Sequence, residues 1–159
     1  MTEADGSLYD EDFYLWTQLQ AELLRRGPAA SNRLDYDRLA EEIEDLGKSE
    51  LHACQSLCEH IIEHLLKIEY SGRDQPVRHW RREIAEGRLQ LKKKLTRSIA
   101  AKLDLPERYR EAVGLLHYTE DDFPGLLARI PAECPYSLDQ IRGDAGDGAE
   151  DWFPTPRPP

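Results

Sequence analysis

Residues 37–71 read DRLAEEIEDLGKSELHACQSLCEHIIEHLLKIEYS and contain no proline. Apolar side chains recur at Leu39, Ile43, Leu46, Leu51, Cys54, Leu57, Ile61, Leu65 and Ile68, mostly three or four positions apart. That spacing lines one face of an α-helix. The stretch therefore predicts one long central helix against which the rest of the chain packs. At 1.5 Å per residue, about 35 residues would run roughly 52 Å, while a compact domain of this mass has a radius of gyration of about 15 Å. Such a helix must project, bend or belong to an elongated molecule. Gly47 is its weak point, because a helical glycine costs about 1 kcal/mol relative to alanine. On the helical wheel Gly47 falls on the apolar face near Cys54 and Cys58, which marks a close-approach position for a neighbouring helix or ring.

Working outward, the N-terminal side predicts a helix from about Asp10 to Arg26. Phe13, Trp16, Leu19 or Gln20, and Leu23 share a face, and Asp10, Glu11 and Asp12 precede Arg25 and Arg26 in the order a helix dipole favours. Ser7 with Asp10 resembles the start of a capping box, and Gly27-Pro28 stops the helix. Asp35 or Asp37 can cap the central helix. On the C-terminal side, the turn at 71–76 is followed by a helix from about Val77 to Lys102, with Val77, Trp80, Ile84, Leu91, Leu95 and Ile99 as its stripe. Asp104 and Pro106 open a further helix to about Tyr118. Thr119 with Asp122 can start a short segment reaching Ile130. Ser137 with Gln140 is a capping box for a last short helix at 138–142.

The expected fold is all-α: a bundle in which the central helix pairs antiparallel with the long basic helix, covered by shorter ones. Its core is expected to include Phe13, Trp16, Ile43, Gly47, Leu57, Ile61, Leu65, Trp80 and Ile84. With 159 residues the chain reads as a single helical domain over 7–142. Residues 1–6 are expected to be disordered. The segment 143–159 reads as a flexible Gly/Asp/Pro-rich tail anchored by Trp152 and Phe153.

The net charge of -10 argues for solubility and against indiscriminate adhesion to nucleic acid or membranes. No apolar run approaches the roughly 20 residues of a membrane span. The acidic start MTEADGSLYDEDF lacks the regions of a signal peptide. The cysteines are three in number and form no Cys-x-x-Cys pair. A reducing, cytoplasmic setting is expected.

Several motifs occur in an order that resembles the bacterial domain-of-unknown-function family 29. They are YDEDFYLW (9–16), LAEEIEDLG (39–47), HLLK (64–67), WRREI (80–84) and ECPYSLDQI (133–141). Where that family often has an aromatic just after the HLLK-like run, this chain has Ile68-Glu69 and then Tyr70. The resemblance runs from about Tyr9 to Phe153. It implies an all-helical fold and a bacterial cytoplasmic setting, and it carries no activity or catalytic residues.

Three constellations could carry chemistry. Glu42, Ser49, His60, His64 and Lys67 form a polar ledge beside the apolar face. Histidines four apart on a helix can reach one metal ion. The ordinary reading, a hydrogen-bonded boundary histidine at His64 and a surface one at His60, outweighs it, so no metal is assigned. The carboxylates of residues 41–45 stabilise the first turns of a helix, which accounts for them without Mg²⁺. They can also face Arg81, Arg82 or Arg88 as an internal ion-pair network. The third constellation is a basic rod. Residues 71–102 carry 10 basic and 3 acidic groups, while 1–70 carry 6 and 16. Arg78, Arg81, Arg82, Arg88 and Lys92 are the candidate interaction surface. A rod neutralised by the acidic helices ranks first, an acidic protein partner second and nucleic acid last.

Cys134 has no basic neighbour that would make it a nucleophile. The stretch 144–151, DAGDGAED, fails the EF-hand pattern. No catalytic residue and no cofactor is assigned, and a non-enzymatic role ranks ahead of an enzymatic one. The leading reading is an interaction module binding an unknown protein or a second copy. The alternatives are a metal-binding protein or metal-dependent hydrolase using His60 and His64, and a nucleic-acid-associated protein using the basic helix.

Overall fold

The absence of proline from 36 to 70 lets the backbone hydrogen-bond ladder run without a break, and one helix, α2 (Tyr36–Tyr70), spans 35 residues. It passes Gly47 without interruption. The structure is a computed structural model that describes residues 8–26, 36–72, 76–144 and 151–158. The expected disorder at 1–6, the Ser7 cap, the Gly27-Pro28 stop, the Asp35 cap and the AGDGAE part of the tail (145–150) lie outside those residues. α1 (Phe13–Arg26) precedes α2. α3 (Val77–Lys94), α4 (Arg97–Lys102), α5 (Leu105–Leu116), α6 (Leu126–Arg129) and α7 (Leu138–Arg142) follow it, with a 3-10 turn at His117–Thr119. No strand occurs among the described residues.

The contacts gather into two compact units: Met1–Cys54 with Leu95–Leu103, and Gln55–Lys94 with Asp104–Pro159. In the first unit α1 lies on the first half of α2. Tyr14, Thr17 and Ala21 are the buried side of α1. They recur at three and four residues and so share one face. Gly47 is buried on α2, and a Cβ placed there would overlap Thr17 Oγ1. Gln18 Nε2 donates to the Glu44 carbonyl at 3.3 Å. Arg25 pairs with Glu44, which also holds Lys48. Tyr9, Phe13 and Trp16 form an aromatic cluster with centroids 4.9–5.9 Å apart.

Two boundaries differ from the sequence expectation. The basic helix does not reach Lys102. It ends at Lys94, and α4 starts after Thr96. Thr96 turns extended, and its hydroxyl accepts from the Ile99 N–H, a side-chain cap. Asp12 supplies the second cap: its carboxylate accepts from the Ser98 N–H at 3.0 Å and the Ser98 hydroxyl at 2.7 Å. The second difference concerns Asp12 itself, which is not a helix-interior acid. A helical turn at 8–11 ends there, and its carboxylate accepts the Leu15 N–H at 3.0 Å, capping α1. One carboxylate thus serves two helix starts. Burial raises its pKa, but the hydrogen bonds from Ser98, Leu15 and Thr96 outweigh burial and leave it below the ordinary carboxylate value.

In the second unit α3 runs back antiparallel to α2. His60 faces Glu83 and Ile61 faces Gly87, where a Cβ would meet Ile61 Cγ1 at 3.1 Å. Ile61, Ile62, Leu65, Leu66, Ile84 and Leu91 are fully buried here. α5 opens at Asp104, whose positive φ of 48° and side-chain bond to the Glu107 N–H form the cap. Ser137 and Gln140 make both bonds of a capping box at α7.

The tail segment 151–158 docks on this unit through more than Trp152 and Phe153. Arg157 reaches Glu69 at 2.9 Å and stacks over Tyr70, and its N–H donates to the Glu69 carbonyl at 2.8 Å. Tyr136 donates its hydroxyl to the other Glu69 oxygen at 2.8 Å. Burial, then the Glu69 bond, pushes the Tyr136 pKa far up.

Candidate functional site

The second half of α2 places His60, Glu63, His64 and Lys67 at intervals of three and four, one above another on one side of the helix. One ligand atom from each of His60, Glu63 and His64 lies within 4.8 Å of the others. The two imidazole centroids are 4.2 Å apart. His64 is buried, and its Nδ1 lies 2.9 Å from the His60 carbonyl. A carbonyl can only accept, so Nδ1 carries the proton and Nε2 keeps its lone pair. Burial lowers the His64 pKa first of all. The His60 carbonyl opposes that shift, and the charges of His60 and Lys67 reinforce it, so the ring is neutral at pH 7.

Lys67 donates to Glu63 at 2.6 Å, and both side chains are nearly buried, 9% and 12% exposed. The Lys67 ammonium also sits 6.0 Å from the Phe123 ring, which packs against Trp80. These two rings put an apolar wall beside the polar ledge. From α3, Glu83 reaches His60 Nε2 at 3.5 Å and His79 Nε2 at 4.0 Å. His60 remains 42% exposed, so the ledge is open to solvent on that side.

Of the ledge read from sequence, His60, His64 and Lys67 come together. Glu42 is exposed in the first unit. Glu63 and Glu83 are the residues sequence reasoning missed. Glu63 carried a signal: HIIEH (60–64) is an H-x-x-E-H order, the reverse of the H-E-x-x-H zinc motif. Glu83 carried none.

The basic surface is changed in one central respect. Arg78, Arg81, Arg82 and Lys92 are exposed, but Arg88 is buried. Its Nε and Nη2 donate to the Ile141 and Gln140 carbonyls, each at 2.9 Å, satisfying the end of α7. Burial draws its pKa down to about 10, so it stays charged. Arg81 and Arg88 both stack on Phe153. Arg82 pairs with Glu86 on its own helix, and Glu44 pairs with Arg25 and Lys48 rather than with the basic helix. The basic groups are thus partly spent on the tail and α7. Of the expected core, Gly47, Ile61, Leu65, Trp80 and Ile84 are buried, while Phe13, Trp16, Ile43 and Leu57 are half-buried.

The fold and this ledge define an all-helical protein built on one long helix, with a histidine–carboxylate cluster on that helix and one carboxylate added from its antiparallel neighbour. The chain belongs to the family described as domain of unknown function DUF29, whose model matches residues 8–145. It is similar to a crystal structure of an alpha-helical protein of unknown function from Rhodospirillum rubrum ATCC 11170. That likeness has a TM-score of 0.76 at 25% identity, over 87% of this chain and 91% of the other. No curated protein matches the chain. No described helix is long and apolar enough to cross a membrane.

Proposed function

We propose that this protein is a non-enzymatic interaction module whose partner is a second copy of the chain, joined through the outer face of α1. The observation that carries the reading is a stripe of leucines. Leu15, Leu19 and Leu23 are 39%, 41% and 56% exposed. At intervals of four they lie together on the side of α1 opposite Tyr14, Thr17 and Ala21. Isolated exposed leucines are ordinary, but a row of three on one helix is a seam without a lid.

Charge along the same helix selects the partner. Asp10 and Glu11 stand in the turn just before it, and Arg25 and Arg26, which pair within the chain with Glu44 and Glu22, stand at its end. Two antiparallel copies of α1 crossing at Leu19 set Leu15 against the partner subunit's Leu23. The acidic start of each then lies along the basic end of the other, whereas a parallel pair would bring like charges together. A two-fold arrangement of this kind uses one patch twice and closes on itself. The charges set the orientation more than the affinity.

Sedimentation equilibrium of the purified chain tests this. A dimer is expected at micromolar concentration, and Leu19→Glu is expected to return it to monomer with an unchanged helical circular-dichroism spectrum. A wild type that stays monomeric at 100-fold higher concentration, or a Leu19→Glu variant that still dimerises, overturns the proposal.

A further inference from the structure

We propose that His60, Glu63 and His64 bind one divalent transition-metal ion of the zinc type, with Glu83 of α3 as the neighbouring carboxylate that completes or orients the set. The site is independent of the α1 seam.

Four observations carry it. First, the donor atoms of His60, Glu63 and His64 already lie within 4.8 Å of one another. Ligands about 2.0–2.2 Å from a tetrahedral zinc are roughly 3.3–3.6 Å apart, so small side-chain rotations close the site. Second, the His64 ring is oriented for the task. Its Nδ1–H is tied to the His60 carbonyl at 2.9 Å, which leaves Nε2 as the coordinating nitrogen. Metal-bound histidines characteristically have their other nitrogen tied in this way. Third, two helices contribute. Glu83 stands 3.5 Å from His60 Nε2, so it can take a place on the ion or hold that ring. Helical-bundle metal sites are assembled from facing helices in the same manner. Fourth, the surroundings are asymmetric. The Phe123 ring, packed on Trp80, lies 6.0 Å from the Lys67 ammonium, while half-exposed His60 gives an ion a path in from solvent.

Lys67 sets the affinity. Its ammonium holds Glu63 Oε1 at 2.6 Å, which steadies the carboxylate and leaves the other oxygen for the ion. The same positive charge repels a divalent cation at close range. Two carboxylates, Glu63 and Glu83, stand against one ammonium, so the site favours a cation but is weaker than a closed structural zinc site. Two imidazoles and carboxylate oxygens suit zinc, cobalt or nickel better than magnesium or calcium, which prefer all-oxygen shells.

The test uses the full-length chain stripped with EDTA and dialysed. Titration calorimetry with Zn²⁺ and the visible spectrum with Co²⁺ read binding. One ion per chain is expected, with a Co²⁺ band for a low-coordinate site and no response to Mg²⁺. His60→Ala, at the exposed edge, is expected to fold normally and to lose at least about tenfold in Zn²⁺ affinity, and Glu83→Gln to lose about tenfold. Lys67→Met is expected to bind Zn²⁺ more tightly than wild type. Failure of the wild type to bind Zn²⁺ or Co²⁺ at 100-fold molar excess overturns the proposal. So does unchanged affinity in His60→Ala, which would place the ion elsewhere.

Discussion

The two halves of α2 carry one stripe and use it in opposite ways. Ala40, Gly47, Cys54, Ile61 and Ile68 recur every seven residues, and all are buried. In the first half the stripe is small, and the neighbour is drawn in against backbone: Gly47 leaves room for Thr17. The leucines beside that stripe stay outside, with Leu39 40% and Leu46 56% exposed. In the second half the stripe is isoleucine, and the glycine moves to the other helix, where Gly87 makes room for Ile61. There the flanks close too, so that every residue from 61 to 71 except Glu63 is buried. The lesson is that periodicity marks a face, while residue size on that face decides how close the neighbour comes and how far around the helix it reaches.

Truncation on the two halves should break the comparison most sharply. Leu65→Ala removes a fully buried side chain and is expected to cost about 2–5 kcal/mol. Leu46→Ala, the same change on the same helix, is expected to cost under about 0.5 kcal/mol. Urea unfolding of both variants decides it, and equal losses would mean that the first half is as closed as the second.

Gly47→Ala probes the small half directly. The added methyl would overlap Thr17 Oγ1, which is itself held by the Tyr14 carbonyl at 2.7 Å. Overpacking of this kind costs about 1–3 kcal/mol, or roughly 2–12 °C in Tm for a chain of this size. Pairing it with Thr17→Ala is expected to recover part of the loss, and a double-variant cycle with no coupling would refute the contact.

A third substitution concerns Asp12, the cap shared by α1 and α4 in the first unit. Asp12→Ala is expected to cost about 1–2 kcal/mol at pH 7. Because the folded pKa lies below the ordinary carboxylate value, the carboxylate's contribution is fully present above that ordinary value and is lost as the pH falls through the folded pKa. The gap between wild type and variant should therefore narrow below pH 4 in thermal melts, and a gap constant to pH 2.5 would show that the charge is not what caps.

Much of the fold was legible because helix formation is local. Absence of proline over 36–70, the Ser137–Gln140 box and the Asp104–Pro106 start each act within a few residues. The break at Thr96 was not, because the cap that completes it is Asp12, 86 residues before the Ser98 it holds. Arg88 read as one more surface cation, since nothing near it in sequence announces the α7 carbonyls it satisfies. On the ledge, His60, His64 and Lys67 were visible by spacing and Glu63 by its order, while Glu83 needed α3 to fold back.

By itself, then, the sequence determined the helices, most of their ends, the long unbroken α2 and the membership in the DUF29 family. Tertiary structure alone decided which leucines of α2 are covered, where the basic helix stops, what Arg88 and Glu69 hold, and which carboxylate joins the histidines. The physical reason is range. Backbone hydrogen bonds and caps are set by neighbours within a turn or two, whereas burial and charge pairing depend on whatever surface a distant part of the chain brings alongside.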